Sequence, residues 1–537
     1  MEKIWVYDTT LRDGTQGENI NFTAEDKLRV SARMDAAGFD YIEGGWPGAN
    51  PRDTKFFEMA REVSFKSSRL VAFSSTRRPG IPAYKDQNLK ALAASGAKVA
   101  ALFGKTWDLH VEKILGTTLS ENLAMIKTSI SYLQKKGMEV FYDAEHFFDG
   151  YKHNPAYAVK TLVAAAEAGA RFLVLCDTNG GTMPHEVEKI VAAMAGEIGS
   201  LRLPGGKAPG IGIHAHNDCG LAVANTVAAV RAGAVMVQGT VNGYGERCGN
   251  ADLTSAIPVL QAKMGYNLLP AEGLAGLRRL SRFVSEAANM IPVNNRPFVG
   301  ESAFAHKGGV HVSAVMKDPV AYEHMDPAVV GNRRRVLVSD MAGKSNVEYK
   351  AREFGVDLDE KGNGWDKKKL IAEVKKMEHE GYQFDAAEGS FELLLKRKLG
   401  LFNPPFEFKT FLVTIRKEED RPCFAEATIK ISVDGKEEFT AAEGDGPVSA
   451  LDNALRRALR KFYADAVDSM RLVDFKVRVI DGREGTAARV KVLIESRDRE
   501  NIWNTIGVSE DIIEASWQAL ADSFMVPLAR LNKSKKK

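Results

Sequence analysis

Cysteine is scarce: four in 537 residues, at Cys176, Cys219, Cys248 and Cys423. They are too few and too scattered for a disulfide framework, and a reducing, cytoplasmic setting is expected. Long apolar runs are lacking, so no segment reads as a membrane span. The opening MEKIWVYDTT has no apolar leader core and runs straight into a strand-like stretch. No charge sign dominates. With 73 basic and 70 acidic residues the net charge is +3, which suggests neither a nucleic-acid nor a membrane-surface partner. No Gly-rich stretch has the Walker spacing, and no GxGxxG leads from a strand into a helix. That argues against a nucleotide phosphotransferase or a nicotinamide enzyme. What is present is 45% hydrophobic and 27% charged, the mix of a globular chain of about three domains.

The first half repeats one pattern. Short β-rich runs at 4–8, 41–45, 70–74, 98–103, 138–143, 171–176, 210–214 and 235–240 alternate with Ala-rich helical stretches. The helices are expected at 23–37, 51–63, 82–95, 120–136, 155–168, 184–195, 221–232 and 252–264. Several begin at Pro or Thr, and Gly38, Gly96, Gly137, Gly169 and Gly233 stand where helices should stop. Eight βα units are the closure number of a parallel barrel, so residues 1–265 are expected to form a (β/α)8 TIM barrel. A doubly wound open sheet is the runner-up, but it has no need of eight units. Residues 266–402 read as helical and loop-rich, including a Lys-rich stretch at 366–376. After the break at Asn403-Pro404-Pro405, residues 403–530 read as an α+β domain of two similar βββα halves. Strands are expected there at 408–416, 424–433, 436–442, 471–480 and 487–496, with helices at 448–464 and 509–525. A basic tail, 531–537, is expected to be frayed.

In such a barrel the chemistry sits at the C-terminal ends of the strands. The first strand runs into Asp8-Thr-Thr-Leu-Arg12-Asp13-Gly-Thr-Gln16, offering a carboxylate and a fixed cation. The seventh ends in His214-Ala-His216-Asn-Asp218, and residues i and i+2 of a strand share a face, so both imidazoles can meet one ion. The eighth leads into Asn242-Gly-Tyr-Gly-Glu246-Arg-Cys-Gly-Asn250, a loop able to bring an amide or carboxylate to the same point. Two imidazoles with oxygen ligands suit Mg, Mn or Zn with open positions. The competing reading is a pair of rim histidines with local partners. Glu145, closing strand five, is either an acid–base group or a rim salt bridge, with Arg12 as one partner. Thr178, ending strand six, either holds a substrate carboxylate or caps a turn. His306 and His311 flank Lys-Gly-Gly, a tight turn, and a loop pair of this kind is more often structural than catalytic. Cys248 reads as a small packed residue.

These strings resemble the isopropylmalate synthase, homocitrate synthase and citramalate synthase family. The carriers are Thr10-Leu-Arg-Asp-Gly-Thr-Gln16, His214-Ala-His-Asn-Asp218 with Gly220-Leu-Ala-Val-Ala-Asn225, and Asn242 to Asn250. Phe304-Ala-His-Lys-Gly-Gly-Val-His311 and Gly444-Asp-Gly-Pro447 extend the likeness over nearly the whole chain. Ile42-Glu-Gly-Gly-Trp-Pro-Gly-Ala-Asn50 departs from the Ala-Gly-Phe-Pro pattern of isopropylmalate synthases, and the chain is most similar to the citramalate-forming group.

The resemblance implies a Claisen-type acyltransferase that joins acetyl-CoA to pyruvate and hydrolyses the thioester to (R)-citramalate and CoA, on the pyruvate route to isoleucine. By motif position, Asp13, His214, His216 and Asn250 would hold a divalent metal. Arg12 and Thr178 would bind and polarise the keto acid. Glu145 would take part in removing the methyl proton, with His311 supplied from the linker region, the partner subunit being one source. Tyr322 would have a supporting role. A regulatory domain, a homodimer and feedback by isoleucine, with leucine as alternative, are also implied. The alternatives within the family are isopropylmalate and homocitrate synthases; Trp46 and Phe103 near the rim would make a small pocket that favours pyruvate. Outside it stand a carbon–carbon lyase and a catalytically silent amino-acid sensor.

Overall fold

The computed structural model describes residues 2–201, 208–339, 343–356, 367–420, 422–480 and 488–534. They fall into two compact units, one of Met1–Phe304 with Met325–Arg333, the other of Ala305–His324 with Arg334–Lys537.

In the first unit eight parallel strands close on themselves: β1 Trp5–Asp8, β2 Tyr41–Gly45, β3 Arg69–Ser75, β4 Val99–Lys105, β5 Glu139–Glu145, β6 Phe172–Asp177, β7 Gly210–Ala215 and β8 Met236–Gly239. Closure is made by β1 against β8, with Trp5 opposite Met236 and Asp8 opposite Gly239. The period of two along each strand sorts side chains into two cores. Tyr7, Val71, Phe141, Phe172, Val174 and Met236 fill the barrel interior. Val6, Ile42, Ala72, Val140 and Leu173 face outward under the helices.

The helices start and stop where local chemistry dictates. Thr23 Oγ1 accepts from the Asp26 N–H at 3.0 Å while Asp26 Oδ2 accepts from the Thr23 N–H at 3.1 Å, a reciprocal cap on Ala24–Ala37. Gly38 ends that helix with φ 87°, a conformation that disfavours a side chain. The helix expected from Pro82 begins later, at Gln87. Pro82 opens a single 3-10 turn, and Asp86 takes the cap, accepting from the N–H groups of Asn88 and Leu89. A short helix, Phe147–His153, was not expected; it follows His146, which sits in the left-handed region at φ 57°.

In the second unit a two-residue pairing joins β9 Ala305–His306 to β10 Arg335–Val336. The helix Gly309–Lys317 opens at Gly309 with Gly308 before it, so the Lys-Gly-Gly run starts a helix and does not form the expected tight turn. Helices Lys344–Glu353, Lys367–His379 and Glu388–Lys398 share a core of Val347, Ala351, Leu370, Val374, Phe391 and Leu395. Two antiparallel sheets follow, β11 Glu407–Arg416, β12 Phe424–Val433 and β13 Lys436–Gly444, then β14 Arg471–Val479, β15 Val490–Arg497 and β16 Ile502–Ser509. Each precedes a long helix, Pro447–Ser469 and Ile512–Ser534 respectively. Strand β16 completes the second half and displaces the start expected for the last helix. That helix is instead capped by Asp511, whose Oδ1 accepts from Ile513 and Glu514 N–H groups at 2.7 and 3.0 Å. Asp366, Ala487 and residues 535–537 of the basic tail lie outside the described residues. Among those described, no helix is long and apolar enough to cross a membrane.

Candidate active site and metal centre

The turn after β1 is held before any ligand is considered. Buried Asp8 accepts from the Thr10 N–H at 2.9 Å and the Thr10 hydroxyl at 2.7 Å, and that hydroxyl accepts from the Val241 N–H at 2.8 Å. Burial pushes the Asp8 carboxyl up to about 7 against the opposing Thr10 bonds. The first and last loops of the barrel are thereby tied together. Arg12 and Asp13 project from this fixed turn.

Asp13 is 2% exposed. Its Oδ2 lies 3.3 Å from His214 Nε2 and 3.3 Å from Arg12 Nη1. Burial would raise its pKa, but Arg12 and His214 outweigh burial and hold it well below the usual carboxylate range. His214 and His216 follow each other on one face of β7 and just beyond it, rings 5.2 Å apart. Burial works against protonating His214, yet the Asp13 carboxylate prevails and raises it. Burial, then the neighbouring His214, push His216 down to about 4. Asn250 bridges to His216 through the backbone, and its Nδ2 donates to the Tyr244 carbonyl at 3.1 Å, which aims Oδ1 away from that bond.

Asp13 Oδ1, His216 Nδ1 and Asn250 Oδ1 are buried and have no hydrogen-bond partner among the described residues. An unsatisfied buried polar atom costs about 1–3 kcal/mol. Ligand atoms of Asp13, His214 and His216 lie within 4.8 Å of one another. Two imidazoles, a carboxylate held ionised and an amide oxygen fit a divalent cation.

Behind this cluster runs a chain of polar groups set singly in apolar strands. His214 Nδ1 is 2.9 Å from Gln238 Oε1, and Gln238 Nε2 donates to Asp143 Oδ1 at 3.2 Å. The amide oxygen can only accept, so Nδ1 carries the proton and Nε2 keeps its lone pair for the ion. Burial, then the nearby Glu43 charge, push Asp143 up to about 7. Arg12 Nε donates to Glu43 Oε1 at 2.5 Å, and the Tyr7 hydroxyl donates to Glu43 Oε2 at 2.5 Å. The Arg12 guanidinium lies 3.8 Å above the Phe73 ring. Phe73 stacks on Phe103 at 5.3 Å, and Trp46 meets both edge-on at 5.8 and 5.7 Å.

Glu145 is paired with Lys105, not with Arg12. The alternative of an Arg12 rim bridge is thus corrected: Glu43, projecting inward from the neighbouring strand, claims Arg12 first. Thr178 caps no turn of its own; its hydroxyl accepts from the His146 N–H at 2.9 Å, stitching the loops after β5 and β6 together. Its carbonyl accepts from Arg247 Nη2 at 2.8 Å, while Arg247 forks onto Asp218 at 2.7 and 3.0 Å. Cys248 is exposed and not packed, because the left-handed turn at Arg247 and Gly249 turns it outward. His311 and Tyr322 lie in the second unit, rings stacked at 4.3 Å. His306 there is within 3.2 Å of Glu323, which also accepts from Arg334.

Residues 3–284 match the HMGL-like family model, 298–381 the homocitrate synthase post-HMGL domain-like model, and 385–525 the LeuA allosteric (dimerisation) domain model. An (R)-citramalate synthase of Aquifex aeolicus is 51% identical over 530 residues, 98% of this chain and 98% of that one. One of Geobacter sulfurreducens is 51% identical over 524 residues, 97% of each. The chain belongs to the (R)-citramalate synthase family. A 2-isopropylmalate synthase of Dictyoglomus turgidum stands further off, 29% identical over 96% of each chain.

Motif reading located the first set of residues in this (R)-citramalate synthase family member but missed Tyr7, Glu43, Phe73, Lys105, Asp143 and Gln238. Each is a single residue within or ending a strand, with no spacing signal; only closure of the barrel brings it to its partner. Gln238→Leu tests the chain behind His214. It is expected to weaken Mn2+ binding about 10–100-fold, the usual loss when the outer partner of a metal-ligating histidine is removed. Titration calorimetry with Mn2+ reads this directly, and unchanged affinity would contradict it.

Proposed function

We propose that this protein condenses acetyl-CoA with pyruvate and hydrolyses the thioester to give (R)-citramalate and CoA, with a divalent ion, Mn, Mg or Zn, at Asp13, His214, His216 and Asn250. The observation that carries the reading is the cluster of Asp13, His214 and His216, with unpartnered buried atoms on Asp13 and His216, beside a fixed arginine and an aromatic wall. The ion, when bound, would supply Lewis acidity toward the carbonyl and carboxylate of the keto acid.

The chain's own groups account for the rest. Arg12, anchored through Nε by Glu43 and with Nη1 beside Asp13, offers its remaining N–H groups to the keto oxygen and to the negative charge that develops there. Thr178 borders the keto-acid carboxylate. Trp46, Phe73 and Phe103 leave room for a methyl group and resist a branched one. Glu145 takes a proton from the acetyl methyl carbon, and the resulting carbanion equivalent attacks the keto carbon. His311 and Tyr322, stacked on each other, are the remaining candidates for the acid–base set. The chain is read as a homodimer, with isoleucine binding the C-terminal domain as end-product effector.

A free-thiol assay with pyruvate, 2-oxoisovalerate and 2-oxoglutarate tests the reading. Pyruvate should release CoA at least about tenfold faster than either, the discrimination a pocket tight by one or more methylenes gives. A faster rate with 2-oxoisovalerate would make the protein an isopropylmalate synthase, and with 2-oxoglutarate a homocitrate synthase.

A further inference from the structure

We propose that Lys105 is a positioning residue for the acid–base step: its ammonium, paired with Glu145 at the ends of two adjacent barrel strands, holds and aims that carboxylate. The inference rests on the reading of Glu145 as the group that takes the methyl proton.

Lys105 and Glu145 are register partners as the last residues of parallel strands β4 and β5. Their side chains form an ion pair at the end of the barrel where the metal ligands lie. The backbone around them is laced tightly. The Thr106 hydroxyl donates to the Glu145 carbonyl at 2.6 Å, and fully buried Asn122 donates through Nδ2 to the Lys105 carbonyl at 2.8 Å. Asn122 is itself fixed by the Tyr157 hydroxyl at 2.8 Å. A pair mounted this way does not wander as surface pairs do.

The degree of exposure matters. The side chains are 16% and 23% exposed. A fully exposed pair would be screened and worth little, whereas a sealed one could not meet a substrate. Lys105 Nζ lies 5.6 Å from the Phe103 ring, which stacks on the Phe73 ring beneath Arg12. Two rings thus connect the ion pair to the cation assigned to the keto acid.

Charge accounting gives the pair a purpose. Before reaction, carboxylate and ammonium cancel. When Glu145 takes the methyl proton, the C–H electron pair stays on the thioester as an enolate and Glu145 becomes a neutral acid. Lys105 keeps its positive charge, now facing the new negative charge, and the total is unchanged. Without Lys105 the same step moves that negative charge onto the thioester with no cation beside either end of the transfer.

The test compares wild type, Lys105→Met, Lys105→Arg, Glu145→Gln and the Lys105→Met/Glu145→Gln double variant. Steady-state kinetics are read together with exchange of acetyl-CoA methyl protons into D2O. Lys105→Met should lower kcat and exchange together by roughly 10–100-fold, below the ~10²–10⁴ of an acid–base group itself. KM for pyruvate should stay within about twofold, as expected when binding is untouched. Lys105→Arg should restore most of the rate, and Lys105→Met should add nothing in the Glu145→Gln background. Full additivity in that background, with Glu145→Gln itself slow, would overturn the role of Lys105 alone. Wild-type exchange in Glu145→Gln would overturn both assignments.

Discussion

Asp13→Ala is expected to abolish tight Mn2+ binding and to lower kcat/KM by about 10³-fold, since charge stabilisation of several kcal/mol goes with the ion. The carboxylate is buried, is held ionised by Arg12 and His214, and contributes one of three unpartnered oxygen or nitrogen atoms. Alanine removes both the ligand and the negative charge that lies beside His214 and Arg12. No other carboxylate joins the two imidazoles in a ligand cluster among the described residues. Titration calorimetry with Mn2+ and the free-thiol assay measure the two effects, with circular dichroism to check folding. An Asp13→Ala protein that binds Mn2+ as wild type does and turns over normally would remove the metal reading.

The second large effect is on stability. Lys27→Met is expected to destabilise the barrel unit by about 3–5 kcal/mol, the usual result of stripping one partner from a buried ion pair. Lys27 is fully buried, with Nζ donating to Asp53 and to the Gly44 carbonyl at 2.9 Å. Asp53 in turn accepts from the Trp46 N–H at 2.9 Å and from Asn50 Nδ2 at 3.1 Å. Methionine fills the volume but leaves the Asp53 carboxylate with only Arg52, 3.9 Å away, as a counter-charge. Thermal unfolding should begin on the order of 10 °C lower. Lys27→Met/Asp53→Asn should recover part of that loss, because an amide can still accept from Trp46 without a buried charge. Equal midpoints for Lys27→Met and wild type would show the pair to be inert.

The barrel was legible because its punctuation is local. Thr23 and Asn50 cap helices, Pro51, Pro155 and Pro184 open them, and Gly38, Gly137 and Gly169 take left-handed turns that stop or follow them. The candidate metal cluster was legible for the same reason: Asp13 and His214 with His216 each sit in a compact string. Failures came where the deciding contact is distant or the signal ambiguous. Pro82 looked like a helix start, but Asp86 offered the better cap. His146 carries no turn signature, yet it adopts φ 57° and releases a short helix. The second βββα half was expected, but its third strand was given no position; it is Ile502–Ser509. The pairing of Arg12 with Glu43 spans 31 positions, and that of His214 with Gln238 spans 24. Neither distance is encoded in a motif.

The close contact of Arg12 with the Phe73 ring sets a trade-off for anyone wishing to widen what the enzyme accepts. Trimming that ring would make space for bulkier acceptors and at the same time remove the platform that steadies the guanidinium. Breadth and speed therefore compete at a single side chain. Variants selected for larger acceptors should first pay in turnover, and regaining it should require a second change that steadies Arg12 from another side.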